Sequence, residues 1–146
     1  ALILHTCRDA RSTCLSCFQQ NFSEGQSFSF SAHGLAHYFG LYARMMRYWH
    51  QRFPDRVLDV RYKALVTDMQ REMQRVLDYC GLNWQPEMER FYEQKGLVKT
   101  ASVRQVRQPV YTSSLAKWNN YPVFVQALGE MEEYDPVVGD VGEPSL

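Results

Sequence analysis

LILHTCRDARSTCLS (residues 2–16) is the stretch that decides the fold. Its first residues form an apolar run, which predicts a buried strand over residues 2–6. Asp9 follows as a capping carboxylate, and it predicts a helix that continues to about Asn21. A strand that runs directly into a helix is typical of α/β proteins, so we expect an α/β fold.

Helices dominate the rest of the predicted structure. Apolar residues at three-to-four spacing predict a long amphipathic helix after residue 32, and we expect its aromatic residues Tyr38, Tyr42 and Trp49 to lie in the core. Gly81 is a helix stop, and Pro122 is expected to interrupt a helix. The further helices are predicted over about 33–52, 68–80, 86–94 and 115–131.

Three other segments complete the prediction. Residues 57–62 read as a second strand, and residues 98–114 as an ordered polar loop. Residues 132–146 are acidic and rich in Gly and Pro, so we expect a flexible tail after one folded unit over residues 1–131. The predicted class is therefore α/β and helix-rich, with few parallel strands.

Charge and length exclude several classes of protein. The 146 residues carry 16 basic and 16 acidic side chains, so no overall field favours nucleic acid or an anionic membrane. No apolar run approaches the roughly 20 residues of a membrane span, and the first residues lack the features of a signal peptide. We expect a cytoplasmic protein. Because the sequence opens inside a predicted buried strand, we also expect residues upstream of it.

The cysteines and histidines allow a few alternative sites. Cys14 and Cys17 form a C-x-x-C pair, but no second pair stands at ligand spacing, so we interpret them as small apolar side chains on a helix. His33 and His37 stand four residues apart without a third ligand, and we predict no metal site. His5 is interpreted as a core or site-lining residue.

Arg8 is the first candidate binding residue. It follows the first strand and therefore lies at the carboxyl edge of the sheet, where a helix begins and ligands of open α/β sheets bind. Ser16 stands four residues after Ser12 on one helix face and can assist the guanidinium. Arginine with serine is a combination that binds phosphate.

Three motifs extend this pattern. Residues 4–16 resemble the 3'-phosphate-binding motif of sulfotransferases that use 3'-phosphoadenosine 5'-phosphosulfate (PAPS), with Ala10 in place of the usual Pro. VLDVRYKAL (residues 57–65) is similar to the second strand of that family, whose Tyr contacts the adenosine. SVRQVRQPVY (residues 102–111), followed by LAKW (residues 115–118), looks like the C-terminal cofactor loop of the protein-tyrosine sulfotransferase branch.

The resemblance covers residues 1–121 and implies a fold related to P-loop kinases. A further phosphate-binding Arg of the tyrosine branch falls at Gln20, so the sequence is closer to bacterial relatives, which are often fused to tetratricopeptide repeats. The family's phosphosulfate loop and proton acceptor are expected upstream, so this chain alone is expected to be inactive. The residues implied to bind PAPS or its product 3',5'-ADP are Arg8, Ser16, Tyr62, Ser102, Arg104, Arg107, Tyr111 and Lys117.

The resemblance also implies a division of roles. Arg8 and Ser16 hold the 3'-phosphate, and Tyr62 contacts the adenosine. Ser102 and Lys117 meet the charge around the phosphosulfate, with Ser102 stabilising the transition state of sulfuryl transfer. The acceptor is a hydroxyl group of a peptide tyrosine, a carbohydrate or a small molecule.

Two alternative functions stay open at this point. The chain can be a non-catalytic helical interaction module derived from a sulfotransferase, because Gln20, Lys63 and Ala64 depart from the family pattern. It can also be a nucleotide kinase of the related fold. An upstream phosphate loop would distinguish them: a Pro-Arg-Ser-Gly-Thr type favours sulfuryl transfer, and a Gly-Lys-Ser/Thr type favours a kinase.

Overall fold

The computed structural model describes residues 1–20, 22, 25–93, 107–131 and 134. Within them, strands β1 (Ile3–Cys7) and β2 (Val57–Arg61) form a two-stranded parallel sheet. The register aligns Ile3 with Val57 and Cys7 with Arg61. Parallel strands need a long crossover connection, which here runs through two helices.

The described helices surround this sheet. The first helix, α1 (Ala10–Gln19), begins where predicted because the Asp9 side chain accepts a hydrogen bond from the Ser12 backbone N–H at 2.8 Å. Gly81 ends α4 (Met69–Cys80) in the left-handed conformation, with φ 67°. The α-helices are α1 (Ala10–Gln19), α2 (Ala32–Arg52), α3 (Tyr62–Thr67), α4 (Met69–Cys80) and α5 (Pro122–Leu128), and the 3₁₀ helices are Ser27–Phe30, Pro86–Glu93 and Lys117–Asn120.

A helix-rich chain with parallel strands is compatible with the predicted α/β class. The long helix predicted over 33–52 is confirmed as α2, and the helix predicted over 68–80 is confirmed as α4. None of the helices that the structure describes combines the length and apolar character needed to cross a membrane.

The core lies between α1, α2, α5 and the carboxyl end of β1. One face of α2 supplies Leu35, Phe39 and Ala43, as its helical spacing predicts. The remaining buried members of this cluster are Cys7, Ala10, Cys14, Leu128 and Tyr134.

The core prediction for the aromatic residues of α2 is correct only for Tyr42, which packs against the core. Tyr38 is 50 % exposed and Trp49 is 40 % exposed, because both lie outside the face that carries Leu35 and Phe39. Tyr38 stacks on Phe28 at a centroid distance of 3.8 Å instead.

Three boundaries also differ from the prediction. Tyr62 does not end the second strand but begins α3, directly after β2 ends at Arg61. Pro122 does not interrupt a helix but begins one, since a proline at the first helical position lacks only an N–H that has no helical partner. The helix predicted over 86–94 is a 3₁₀ helix, Pro86–Glu93.

The range of the predicted flexible tail, 132–146, contains one described residue, Tyr134. Tyr134 has 8 % of its surface exposed and packs in the core cluster. The other residues of the range 132–146 lie outside the described part of the chain, as does most of the predicted polar loop 98–114.

Candidate functional site

The two strands bring Arg8 and Tyr62 together. Both strands point the same way and end in register at Cys7 and Arg61, so the residues that follow them lie side by side at the carboxyl edge of the sheet. The Arg8 guanidinium carbon lies 4.7 Å from the centroid of the Tyr62 ring, within the range of a cation–π contact. These are two residues that the sequence predicted for one site.

A third residue holds this pair in place. One terminal nitrogen of Arg8 donates a hydrogen bond to the backbone carbonyl of Ser114 at 2.7 Å. The Tyr62 hydroxyl and the Ser114 hydroxyl are also 2.7 Å apart and share a hydrogen bond. The loop before the 3₁₀ helix Lys117–Asn120 therefore closes over the sheet edge.

The Arg8 guanidinium contains a buried donor that is not used within the described part of the chain. Its Nε is buried and has no hydrogen-bond partner among the described residues. A buried donor without a partner costs about 1–3 kcal/mol, and more when it belongs to a charged group. An anionic ligand that accepts from Nε would remove that cost.

A pocket of about 410 Å³ opens at this edge. Its lining contains four cationic side chains but one carboxylate, that of Asp9, which is already used to cap α1. Aromatic rings form part of the remaining wall. The cationic residues are Arg8, Arg11, Arg61 and Lys63, and the aromatic ones are Tyr62, Trp118 and Tyr134. Cations beside aromatic rings suit a ligand that carries both phosphate and a base.

The other predicted site residues that the structure describes do not line this pocket. Ser16 is exposed on α1 and does not line the pocket; it stands five residues after Arg11, which does. Lys117 is exposed, and its Nζ donates to the Gln19 side-chain oxygen at 2.9 Å. Arg107 is exposed and Tyr111 is half-buried, and neither lines the pocket.

Ser102 and Arg104 lie outside the described residues. The phosphosulfate half of the predicted site is therefore represented in the structure only by Lys117. This residue lies between two pocket-lining neighbours, Ala116 and Trp118.

Sequence reasoning missed several pocket residues. Arg11 places its guanidinium carbon 5.0 Å from the Trp118 ring centroid, so two elements distant in sequence meet at the mouth of the pocket. Trp118 stands in the LAKW motif and could have been selected from it. Ser114 had no such signal, because it contributes to Arg8 through its backbone carbonyl.

A second cavity, also of about 410 Å³, adjoins the first and shares Arg8 with it. Apolar and aromatic side chains line most of it, including Phe28, Leu35, Phe39 and Tyr42. Arg8 therefore lies between a basic pocket and an apolar one.

A buried polar cluster lies beneath the sheet edge, centred on Asp59. Its Oδ1 is 2.5 Å from His5 Nδ1 and 3.1 Å from His50 Nε2, and its Oδ2 accepts from the Tyr134 hydroxyl at 2.8 Å. The other ring nitrogen of His5 is 2.8 Å from the Tyr42 hydroxyl. His5 is thus a core residue in an ordered network, as one of the two predicted interpretations had it.

Ionisation states follow from this geometry. Burial raises the pKa of Asp59, but the hydrogen bonds from His5, Tyr134 and His50 outweigh burial and bring the pKa below its ordinary value. Burial raises the pKa of Tyr42 and of Tyr134. Asp59 is therefore a carboxylate at neutral pH, and both tyrosine hydroxyls are protonated.

The donor atoms of His5, His50 and Asp59 lie within 4.8 Å of one another, a grouping that also suits a metal ion. The hydrogen bonds between them already give each atom a partner. His33 and His37, the pair weighed from the sequence, are both exposed.

All four cysteines are free thiols. Cys14 is buried in the core and Cys17 is half-buried, which confirms the interpretation as apolar packing residues. Burial raises the pKa of the Cys7 thiol to about 11, so it is protonated and weakly nucleophilic at neutral pH.

A basic pocket at the carboxyl edge of parallel strands lies where open α/β sheets bind their ligands, and its charge suits an anion. The sequence profile of the Sulfotransferase family matches residues 1–86, which is more than half of the chain. The chain belongs to the sulfotransferase family, as the three motifs indicated.

A curated relative extends the similarity beyond the matched region. An uncharacterized protein of Aquifex aeolicus (strain VF5) is 29 % identical over 134 residues, or 90 % of this chain. The aligned part is 18 % of that protein, so the chain spans about a fifth of the length of the relative it matches.

Proposed function

We propose that this chain binds the 3'-phosphoadenosine part of PAPS, in a protein that transfers the sulfuryl group from PAPS to a hydroxyl acceptor. The observation that carries the proposal is the pocket lined by cations and aromatic rings, in which Arg8 has a buried Nε with no hydrogen-bond partner among the described residues. Membership of the sulfotransferase family supports the reaction class. PAPS supplies the activated sulfuryl group when it is bound.

Arg8 is the central phosphate ligand in this proposal. Its guanidinium is oriented by the Ser114 carbonyl and by the Tyr62 ring, so little side-chain freedom is lost when an anion binds. Hydrogen bonds between ionised groups are about twice as strong as neutral ones. Arg11, Arg61 and Lys63 add positive charge around the same volume.

The nucleoside packs against the aromatic part of the wall. Tyr62 and Trp118 each have one ring face near a guanidinium, Arg8 and Arg11 respectively, so the cations and rings form two neighbouring pairs. An adenosine 3'-phosphate presents a ring system and a dianion, and these groups suit a wall that contains both rings and cations.

The remaining predicted residues complete the proposal. Ser16 assists Arg8 at the 3'-phosphate, and Lys117 with Ser102 stabilises the charge that develops on the leaving phosphate. Arg104, Arg107 and Tyr111 are assigned to nucleotide binding by the family resemblance alone. The acceptor hydroxyl and the group that takes its proton are supplied from outside these residues.

Calorimetric titration tests the proposal. The purified chain is titrated with 3',5'-ADP and with 5'-AMP, which differ by the 3'-phosphate that Arg8 is proposed to bind. Arg8→Gln is expected to weaken 3',5'-ADP binding about ten- to 150-fold, because it removes a charge-assisted hydrogen bond of about 1.5–3 kcal/mol. The affinity for 5'-AMP should change less.

Arg71→Gln is the matched control, since Arg71 is an exposed arginine that does not line the pocket. It removes the same charge and should leave both affinities within about twofold. Equal affinity for the two nucleotides, or equal effects of the two substitutions, would contradict the proposed role of Arg8.

A further inference from the structure

Tyr134 joins the pocket to the buried polar cluster. It lines the pocket that contains Arg8 and Tyr62, yet its own surface is only 8 % exposed. It follows α5 and is therefore far from the strands in sequence. A segment that composition predicts to be flexible thus contributes a side chain to the wall of the candidate site.

Asp59 holds this side chain in place. The Tyr134 hydroxyl donates to Asp59 Oδ2 at 2.8 Å, and the Asp59 side chain is 2 % exposed. The Tyr134 ring also contacts the His5 ring edge-on, with centroids 5.4 Å apart. Both ends of the tyrosine are therefore fixed, the hydroxyl by a charge and the ring by an aromatic neighbour.

Asp59 is itself fixed by the sheet and by α2. It lies opposite His5 in the strand register and accepts hydrogen bonds from His5 and His50. Its strand ends two residues later, at Arg61, and leads directly into Tyr62. A hydrogen bond to this residue therefore ties the segment after α5 to the strand that delivers Tyr62.

We propose that Tyr134 is a wall residue of the nucleotide pocket and that Asp59 is the positioning residue that holds it there. The identity of the ligand rests on the proposed function, whereas the position of Tyr134 in the pocket wall does not. The ring of Tyr134 contacts the bound nucleoside, while Asp59 acts only through Tyr134.

Cys7 gives a readout of the wall that needs no ligand. It lines the same pocket, is 5 % exposed and belongs to the same core cluster as Tyr134. If Tyr134 covers this end of the pocket, removing its ring should open a path to the Cys7 thiol. Cys80, at the end of α4 and outside the pocket lining, serves as the internal reference.

The experiment combines alkylation with binding. N-ethylmaleimide labelling of Cys7 and Cys80 is followed by peptide mass spectrometry, and 3',5'-ADP affinity is measured by calorimetry. Tyr134→Ala should speed Cys7 labelling at least fivefold relative to Cys80, and should weaken 3',5'-ADP binding about five- to 150-fold, the scale of a lost base–aromatic contact.

Two milder variants separate the wall from its support. Tyr134→Phe keeps the ring and loses the hydrogen bond, and Asp59→Asn keeps the shape and loses the charge. Each should give effects on Cys7 labelling and on affinity that fall between wild type and Tyr134→Ala. Unchanged Cys7 labelling in Tyr134→Ala would contradict the proposal that Tyr134 forms part of the pocket wall. Wild-type affinity for 3',5'-ADP in Asp59→Asn would contradict the proposal that Asp59 positions Tyr134.

Val76→Ala is the control for general loss of stability, because Val76 is buried on α4 and does not line the pocket. At a matched fall in thermal stability it should leave Cys7 labelling and affinity unchanged. If it reproduced the Tyr134→Ala effects, the role of Tyr134 would be structural only. If wild type bound no 3',5'-ADP, the proposed function would be contradicted. The labelling would still test whether Tyr134 covers the Cys7 thiol.

Discussion

Asp59→Asn tests how much the buried polar cluster contributes to the stability of this fold. The Asp59 side chain is 2 % exposed and accepts hydrogen bonds from His5, His50 and Tyr134. Asparagine has the same shape, but it carries no charge and replaces one acceptor oxygen with a donor. If the amide keeps its oxygen at the Oδ1 position, the Tyr134 hydroxyl loses its acceptor, and the bonds from His5 and His50 become neutral.

The expected loss follows from these changes. A hydrogen bond to a charged group contributes about 1.5–3 kcal/mol against about 0.5–1.5 for a neutral one, and a buried donor without a partner costs about 1–3 kcal/mol. The free energy of unfolding should fall by about 3–5 kcal/mol, the scale observed when a buried charge pair is broken. The melting temperature should fall by roughly 10–15 °C.

Urea denaturation monitored by circular dichroism measures this loss at neutral pH and in acid. The folded pKa of Asp59 lies below its ordinary value of 3.8, so the stabilisation is present above that value and is lost as the pH falls through the folded pKa. The gap between wild type and Asp59→Asn should therefore narrow below about pH 4.

Asp55→Asn is the matched control, because Asp55 is an exposed aspartate before β2. It should change the free energy of unfolding by less than about 0.5 kcal/mol. If Asp59→Asn lowered the free energy of unfolding no more than Asp55→Asn does, the proposed charge on Asp59 would be refuted. The same holds if the difference in this free energy between wild type and Asp59→Asn stayed constant into acid.

Two further predictions concern helix ends. Asp9→Ala should lower the free energy of unfolding by about 1 kcal/mol, because it removes the side-chain cap of α1, whereas Asp9→Asn should retain most of it. Equal urea midpoints for the two variants would contradict the capping role. Gly81→Ala should cost about 1–2 kcal/mol because φ is 67° there, although nothing lies within 4 Å of the added Cβ. Gly81→Asn should cost less, and an alanine variant as stable as wild type would contradict a conformational origin.

Local elements were predictable because their signals are local. The Asp9 cap, the apolar spacing of α2 and the glycine after α4 each act within a few residues, and each element lies where these signals indicated. The two-strand register was not predictable, because the partners of residues 3–7 lie more than 50 residues away. The α2 aromatics show the same limit, since helical spacing alone does not reveal which side meets the core.

The site residues show the same difference between local motifs and long-range contacts. Arg8 and Tyr62 were selected from motifs, and the parallel pairing of their strands brings them within contact distance. Ser16 was selected by its spacing from Arg8, yet it is exposed outside the pocket lining. Arg11 and Ser114 were missed, because their contributions depend on the loop that packs against Arg8.

The sequence by itself determined the family, the order of elements and the cationic residue at the end of the first strand, since all of these are encoded in short contiguous motifs. Only the tertiary structure decided what surrounds that residue. Contacts between residues at least 52 positions apart produce the environment of the Arg8 Nε, the aromatic wall and the attachment of Tyr134 to Asp59. Packing selects such contacts, and no local pattern in the sequence specifies them.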